Sequence, residues 1–216
     1  IRDSPGSERV DAATEQSRVV PAIEEIRRQF PHCFISVDTF YAAVARAAVE
    51  AGADLVNDVS AGLMDADMID TVATLGVPFV AMHMQGTPQH MQTNPQYEDV
   101  TREAIDFFLH HTHRLQQAGI KDIIIDPGFG FGKTIQHNFQ LLRNLDAFGI
   151  LPFPLLVGLS RKSTICKTLG ITAEEALNGT TVLHTISLLK GAHILRVHDV
   201  KEAMECVQLV HALNKA

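Results

Sequence analysis

Six short runs along the chain are apolar on both faces: FISVDT (34–39), DLVNDVS (54–60), PFVAMHM (78–84), DIIIDPG (122–128), PLLVGLS (154–160) and HILRVHD (193–199). A strand with one wet face alternates apolar and polar residues. A strand apolar at both parities is buried on two sides, as in a parallel sheet covered by helices. Between the runs lie segments with helical spacing. YAAVARAAVEAG stops at Gly52, MDADMIDTVATLG at Gly76 and EDVTREAIDFFLHHTHRLQQAG at Gly119. Glycine ends a helix because the left-handed conformation needed there costs it nothing. A first helical segment covers 11–29, and a last one, 200–213, carries Val200, Met204, Val207 and Val210 on one face.

Strand–helix–strand alternation implies parallel strands joined by right-handed crossovers. No linker, low-complexity tract or internal repeat divides the chain, so the expectation is one domain over residues 1–216. Six strands leave two alternatives: an open doubly wound sheet, or a (β/α)8 barrel with its first two strands missing from this sequence. No run approaches the ~20 apolar residues that span a bilayer, and IRDSPGSERV lacks the apolar centre of a signal peptide. A net charge of −7 offers no basic surface to nucleic acid, so neither nucleic acid nor membrane is an expected partner. Cys33, Cys166 and Cys206 are widely spaced and odd in number, which argues against a disulfide framework or a zinc site and fits a cytoplasmic location. All three are expected to be buried small apolar residues.

Polar residues gather where each run ends: Asp38; Asn57 with Asp58; His83; Asp126; Ser160 followed by Arg161 and Lys162; and Arg196 with His198. Burying such groups costs desolvation unless a partner or ligand compensates. In one strand this reads as a satisfied structural group. In all six it reads as a ring, and a ring drawing on every strand favours the barrel, whose sites lie at the C-terminal ends of its strands. The run PGFGFGKT (127–134) is not a phosphate loop, because Walker A needs glycine where Pro127 stands. It is not a dinucleotide fingerprint either, because the third glycine would fall on Lys133. Its glycines instead let the backbone fold tightly over a flat ligand, with Phe129 or Phe131 lining it and the other in the core.

Asp38, Asn57 and Asp126 offer fixed acceptors and one amide, and a carboxylate facing two adjacent N–H donors makes a bidentate, charge-assisted pair. The edge of an aminopyrimidinone ring presents such donors. Lys162 can reach a ring carbonyl or nitrogen. Met82 is either a polarizable surface for a flat heterocycle or plain core. Arg196 and His198, two apart on one predicted strand, would point to one side as an anion clamp for a group such as pyrophosphate. The alternative for Arg196 is a salt bridge to a neighbouring acid such as Asp199. His110 and His113 have metal-ligand spacing on a predicted helix but no third ligand nearby, and read with His111 as an exposed polar face. The segment 84–100, polar with two prolines, reads as a loop or lid above the site.

SVDT, NDVS, MHMQG, DPGFGFGK, GLSRKS and RVHDV, in this order, resemble the dihydropteroate synthase family across nearly the whole chain. The resemblance implies a TIM barrel, commonly dimeric, acting in folate biosynthesis. It implies condensation of 6-hydroxymethyl-7,8-dihydropterin pyrophosphate with p-aminobenzoate, giving dihydropteroate and pyrophosphate, with sulfonamides competing at the p-aminobenzoate site. By matching position it assigns Asp38, Asn57, Met82, Asp126, Lys162 and Arg196 to the pterin, Phe131, Lys162 and Ser163 to p-aminobenzoate, and Arg196 and His198 to pyrophosphate. It implies Mg2+ as cofactor, with the family's metal-holding asparagine in an N-terminal NVTPDSF loop that this sequence lacks. Of a second family loop, STRPG, only SPG (4–6) is present, with Ser4 in place of the arginine. Three rivals remain at this stage. A corrinoid-dependent methyltransferase would share the pterin pocket but not the SRKS lysine or the RVHD clamp. A Schiff-base aldolase would use Lys162 as its amine. A non-catalytic binding module would bind without turnover.

Overall fold

A computed structural model describes residues 10–86, 91 and 94–216. The elements follow in the order α1 (Ala12–Gln29), β1 (Ser36–Asp38), α2 (Ala42–Glu50), β2 (Leu55–Asp58), α3 (Met68–Leu75), β3 (Phe79–Met82), α4 (Val100–Gln117), β4 (Ile123–Asp126) and α5 (Ile135–Arg143), then a 3-10 turn (Leu145–Ile150), β5 (Leu156–Val157), α6 (Ser163–Leu169), α7 (Leu177–Leu189), β6 (Ile194–Leu195) and α8 (Val200–Lys215). Helix ends are capped as the sequence dictates. Asp11 accepts from the Thr14 amide at 2.9 Å, Asp99 accepts from Thr101 at 2.9 Å, and Gly76 and Gly170 close α3 and α6 in the left-handed conformation.

The first four strands are parallel and pair strictly in chain order, β1-β2-β3-β4. A parallel bridge from Ile125 to Leu155 carries the sheet on to β5, which pairs with β6. Chain-order winding has no switch point, so the doubly wound alternative falls and the barrel alternative stands. Alternation divides the side chains. Leu55, Val80 and Leu156 meet Ile124 in a small inner cluster. Val37, Val56, Phe79, Ala81, Ile123, Ile125 and Val157 lie on the opposite parity and join the helices in the main core. One pleat beyond the inner cluster lie Asn57, Met82 and Asp126, and register sets Asp38 beside Asn57 and Met82 beside Asp126. Strand pairing thus gathers the ends of separate runs at one rim.

Three expectations need correction. β5 and β6 have two residues each, so Arg196 and His198 follow β6 rather than lie on it. On α8 the buried stripe is Ala203, Cys206 and Val210, while Val200 and Met204 are at least half exposed. Helical period was right, but packing against α7 selects a face rotated from the one read in the sequence. Cys33 is exposed, Cys166 half-buried and only Cys206 buried, all three as free thiols.

Candidate active site

The rim begins at Asp38. One of its carboxylate oxygens accepts from the Asn57 amide and the other from the Arg196 guanidinium. The Arg196–Asp38 ion pair links the segment after β6 to the end of β1, so the alternative pairing of Arg196 with Asp199 does not form. Asp126 is buried at the end of β4 and accepts from the Gly128 amide at 2.8 Å. Burial pushes its carboxyl above the ordinary range, against the pull of Lys162, the Gly128 amide, Lys133 and Arg196. Such a carboxylate gains most when a ligand brings N–H donors into the same dry pocket.

The glycine loop after β4 is held at several of its polar backbone atoms. Lys133 Nζ donates to the carbonyls of Gly128 and Phe131 at 3.1 Å. Lys162 Nζ donates to Phe129 O. The Gly130 amide donates to Asn138 Oδ1 at 2.8 Å, and Tyr97 OH donates to Gly132 O at 2.9 Å. Gly128 has φ +71°, and a Cβ there would stand 2.0 Å from His83 O, so only glycine allows this approach to β3. The loop separates the two phenylalanines. Phe129 belongs to the main core. Phe131 joins Met82, Phe40, Val59 and Met91 in a separate cluster, and Lys162 Nζ lies 4.7 Å from the Phe131 ring centroid. Met82 is thus buried, but in the cluster at the rim.

Ser163 is the exposed first residue of α6, directly after Lys162. His198 is oriented by Ser160, whose Oγ accepts from the His198 amide at 3.2 Å and lies 2.9 Å from its Nδ1. The ring drawn from the sequence included groups that the fold turns elsewhere. Asp58 has the parity opposite to Asn57 and caps its own turn, accepting from the Ser60 amide and hydroxyl at 2.7 and 2.8 Å and from the Gly62 amide at 2.7 Å. Burial raises its carboxyl to about 6. His83 is buried edge-on to Phe107, 5.3 Å between centroids, and burial, then the nearby Lys133, lowers it to about 3. Arg161 is locked by two bonds of 2.8 and 2.7 Å to Asp199. Of the three histidines on α4, His111 is buried, bonded to Ala61 O at 2.6 Å and stacked on Phe107, while His110 and His113 are exposed. The described residues contain no group of three or more His, Cys, Asp or Glu that could hold a metal. SPG (4–6) and residues 87–90, 92 and 93 of the proposed lid lie outside the described residues. Sequence reasoning missed Lys133 as a structural clamp. The lysine after the glycine run is visible in the sequence, but the pattern around it suggests only phosphate binding, not a bond to the chain's own carbonyls.

An α/β barrel whose strand ends pool carboxylates, an amide and cations around a flat apolar patch is an enzyme of the small-molecule-binding barrel class. The pterin binding enzyme family matches residues 2–198, and the chain belongs to it. The dihydropteroate synthase of Escherichia coli is 41% identical over 214 residues, 98% of this chain and 75% of that protein. A crystal structure of the Yersinia pestis dihydropteroate synthase with a sulfonamide drug complex superposes with a TM-score of 0.96 at 39% identity, covering 99% of this chain and 78% of that one. The Xanthomonas albilineans enzyme in complex with 7,8-dihydropteroate has a TM-score of 0.89 at 38% identity, covering 98% of this chain and 78% of that one.

Proposed function

We propose that the chain condenses 6-hydroxymethyl-7,8-dihydropterin pyrophosphate with p-aminobenzoate, giving dihydropteroate and pyrophosphate. The observation that carries this is the convergence of Asp38, Asn57, Asp126, Lys162 and Arg196 at one rim beside Met82 and Phe131. Asp126 and Asn57 take the amino-pyrimidinone edge, with Asp38 orienting the Asn57 amide. Lys162 exchanges its bond to Phe129 O for a ring atom. Met82 packs on the pterin face. Phe131, Lys162 and Ser163 take p-aminobenzoate, and Arg196 and His198 face the pyrophosphate.

The reaction breaks the bond between the exocyclic methylene and the pyrophosphate oxygen. The dihydropterin ring shares the positive charge left on that carbon, the aryl amine adds to it, and the amine's proton leaves. No side chain becomes a covalent nucleophile. The residues act by positioning and by fixed charges that need no reorganisation during reaction. Mg2+ is proposed to arrive with the pyrophosphate, since Mg2+ usually binds through substrate phosphates and few protein ligands. Among the described residues no group of three or more His, Cys, Asp or Glu offers it a site; bound with the pyrophosphate it would neutralise charge on the leaving group. We also propose a cytoplasmic homodimer. No helix among the described residues is long and apolar enough to cross a membrane, and α7 and α8 present Val182, Leu189, Val200 and Met204 to solvent, all at least 49% exposed.

The protein given the dihydropterin pyrophosphate should release pyrophosphate only when p-aminobenzoate is also present, with a sulfonamide competing against p-aminobenzoate. Absence of dihydropteroate under those conditions would overturn the assignment. The aldolase alternative predicts borohydride trapping at Lys162, which the present reading excludes.

A further inference from the structure

Lys133 is 3% exposed, and the proposed reaction does not use it. A buried lysine is costly, and a site that needed only volume would hold methionine or leucine. Its Nζ lies 3.1 Å from Gly128 O and from Phe131 O, 3.2 Å from His83 O and 3.1 Å from His83 Nδ1. Three carbonyls from two chain segments match the three N–H donors of an ammonium. The Tyr97 ring, 5.9 Å away, adds a face for the cation. The charged and titratable groups around it are Asp126 from β4, His83 after β3 and Lys162 after β5. Burial lowers the ammonium to about 7, with Asp126 opposing and Lys162 adding to the shift.

We propose that Lys133 is a positioning residue for the p-aminobenzoate half of the site, tying the glycine loop to the end of β3 and so setting the Phe131 ring against Lys162. The proposal rests on the assignment of Phe131 and Lys162 to p-aminobenzoate. Two lysines then grip one loop: Lys133 holds Gly128 and Phe131, and Lys162 holds Phe129. When Lys162 turns to ligand, the loop keeps its shape because Lys133 remains. Asp126 depends on Lys133 less, since Lys162, Arg196 and the Gly128 amide also support it.

The test uses Lys133→Met, which keeps length but donates nothing, and Lys133→Gln, which keeps two donors. In the full chain, with folding checked by circular dichroism and thermal melting, Lys133→Met should raise KM for p-aminobenzoate by about tenfold or more, the loss expected when bonds to a charged donor are removed. KM for the dihydropterin substrate should move by less than about threefold. Lys133→Gln should fall between wild type and Lys133→Met. A folded Lys133→Met protein with unchanged KM for p-aminobenzoate, or with both KM values raised equally, overturns the proposal. If Lys133→Met does not fold, Lys133→Gln decides alone: a raised p-aminobenzoate KM with the pterin KM kept supports the role, and an unchanged value overturns it. A wild-type protein that turns over nothing overturns the underlying assignment, and the proposal with it.

Discussion

Two neighbouring kinds of aspartate show how the fold separates chemistry from support. Asp126 is buried at the rim with the Gly128 amide on one oxygen, and it awaits donors from a ligand. Asp126→Asn replaces one acceptor oxygen by a donor and removes the charge. Pterin affinity should drop by about a hundredfold, the worth of a charge-assisted pair; calorimetric titration with a pterin that shows unchanged affinity would contradict the assignment. Asp58, of the opposite parity, spends its acceptors on Ser60 and Gly62. Burial raises its carboxyl from 3.8 to about 6, so the native state binds more protons than the unfolded chain between those values. Its contribution is therefore most favourable below pH 4 and declines as pH rises through 6. The stability margin of wild type over Asp58→Asn should shrink between pH 4 and 7, by about 3 kcal/mol at most. Denaturant titrations across that range in which the margin grows would show that the sign is wrong.

Among the elements, the glycine loop carries the sharpest steric constraint. Gly128 and Gly76 both have left-handed backbones, at φ +71° and +67°, but a Cβ on Gly128 meets His83 O at 2.0 Å whereas Gly76 has nothing within 4 Å. Gly76→Ala should cost about 1 kcal/mol for the backbone alone. Gly128→Ala should cost about 3 kcal/mol or more and lower Tm by at least ~6 °C. Equal melting shifts for the two variants would remove the close approach to β3 from the account. The strands β1 to β4 were legible because apolarity at both parities reports burial on two faces. The same signal overstated β5 and β6. Leu159 is buried and apolar yet lies past β5, because apolar runs report burial rather than pleat. The role of Lys133 was illegible for a different reason: whether its acceptors are ligand phosphates or the chain's own carbonyls depends on His83, 50 residues away.

At the scale of the whole molecule, α7 and α8 carry exposed apolar side chains, Val182, Leu189, Val200 and Met204 among them. The rotation of α8 relative to the expected stripe leaves Val200 and Met204 exposed at 65% and 50%, a cost in water unless a second copy buries them. If the proposed homodimer forms through this face, wild type should sediment as a dimer and the double variant Met204→Glu/Val207→Glu as a monomer. A variant that stays dimeric would place the interface elsewhere. The barrel order was readable from sequence because apolar runs with polar ends alternate with helices in chain order, and burying polar run ends costs desolvation unless they are paired. Which of them face inward was readable only through register, and this is why Asp58 and His83 were wrongly counted in the ring. The most direct test of the central claim is a crystal structure with 6-hydroxymethylpterin bound. The account predicts the ring's amino-pyrimidinone edge on Asp126 and Asn57, with Met82 against its face and Lys162 swung from Phe129 O to the ring. A pterin bound away from these residues, with Lys162 still on the Phe129 carbonyl, would contradict it.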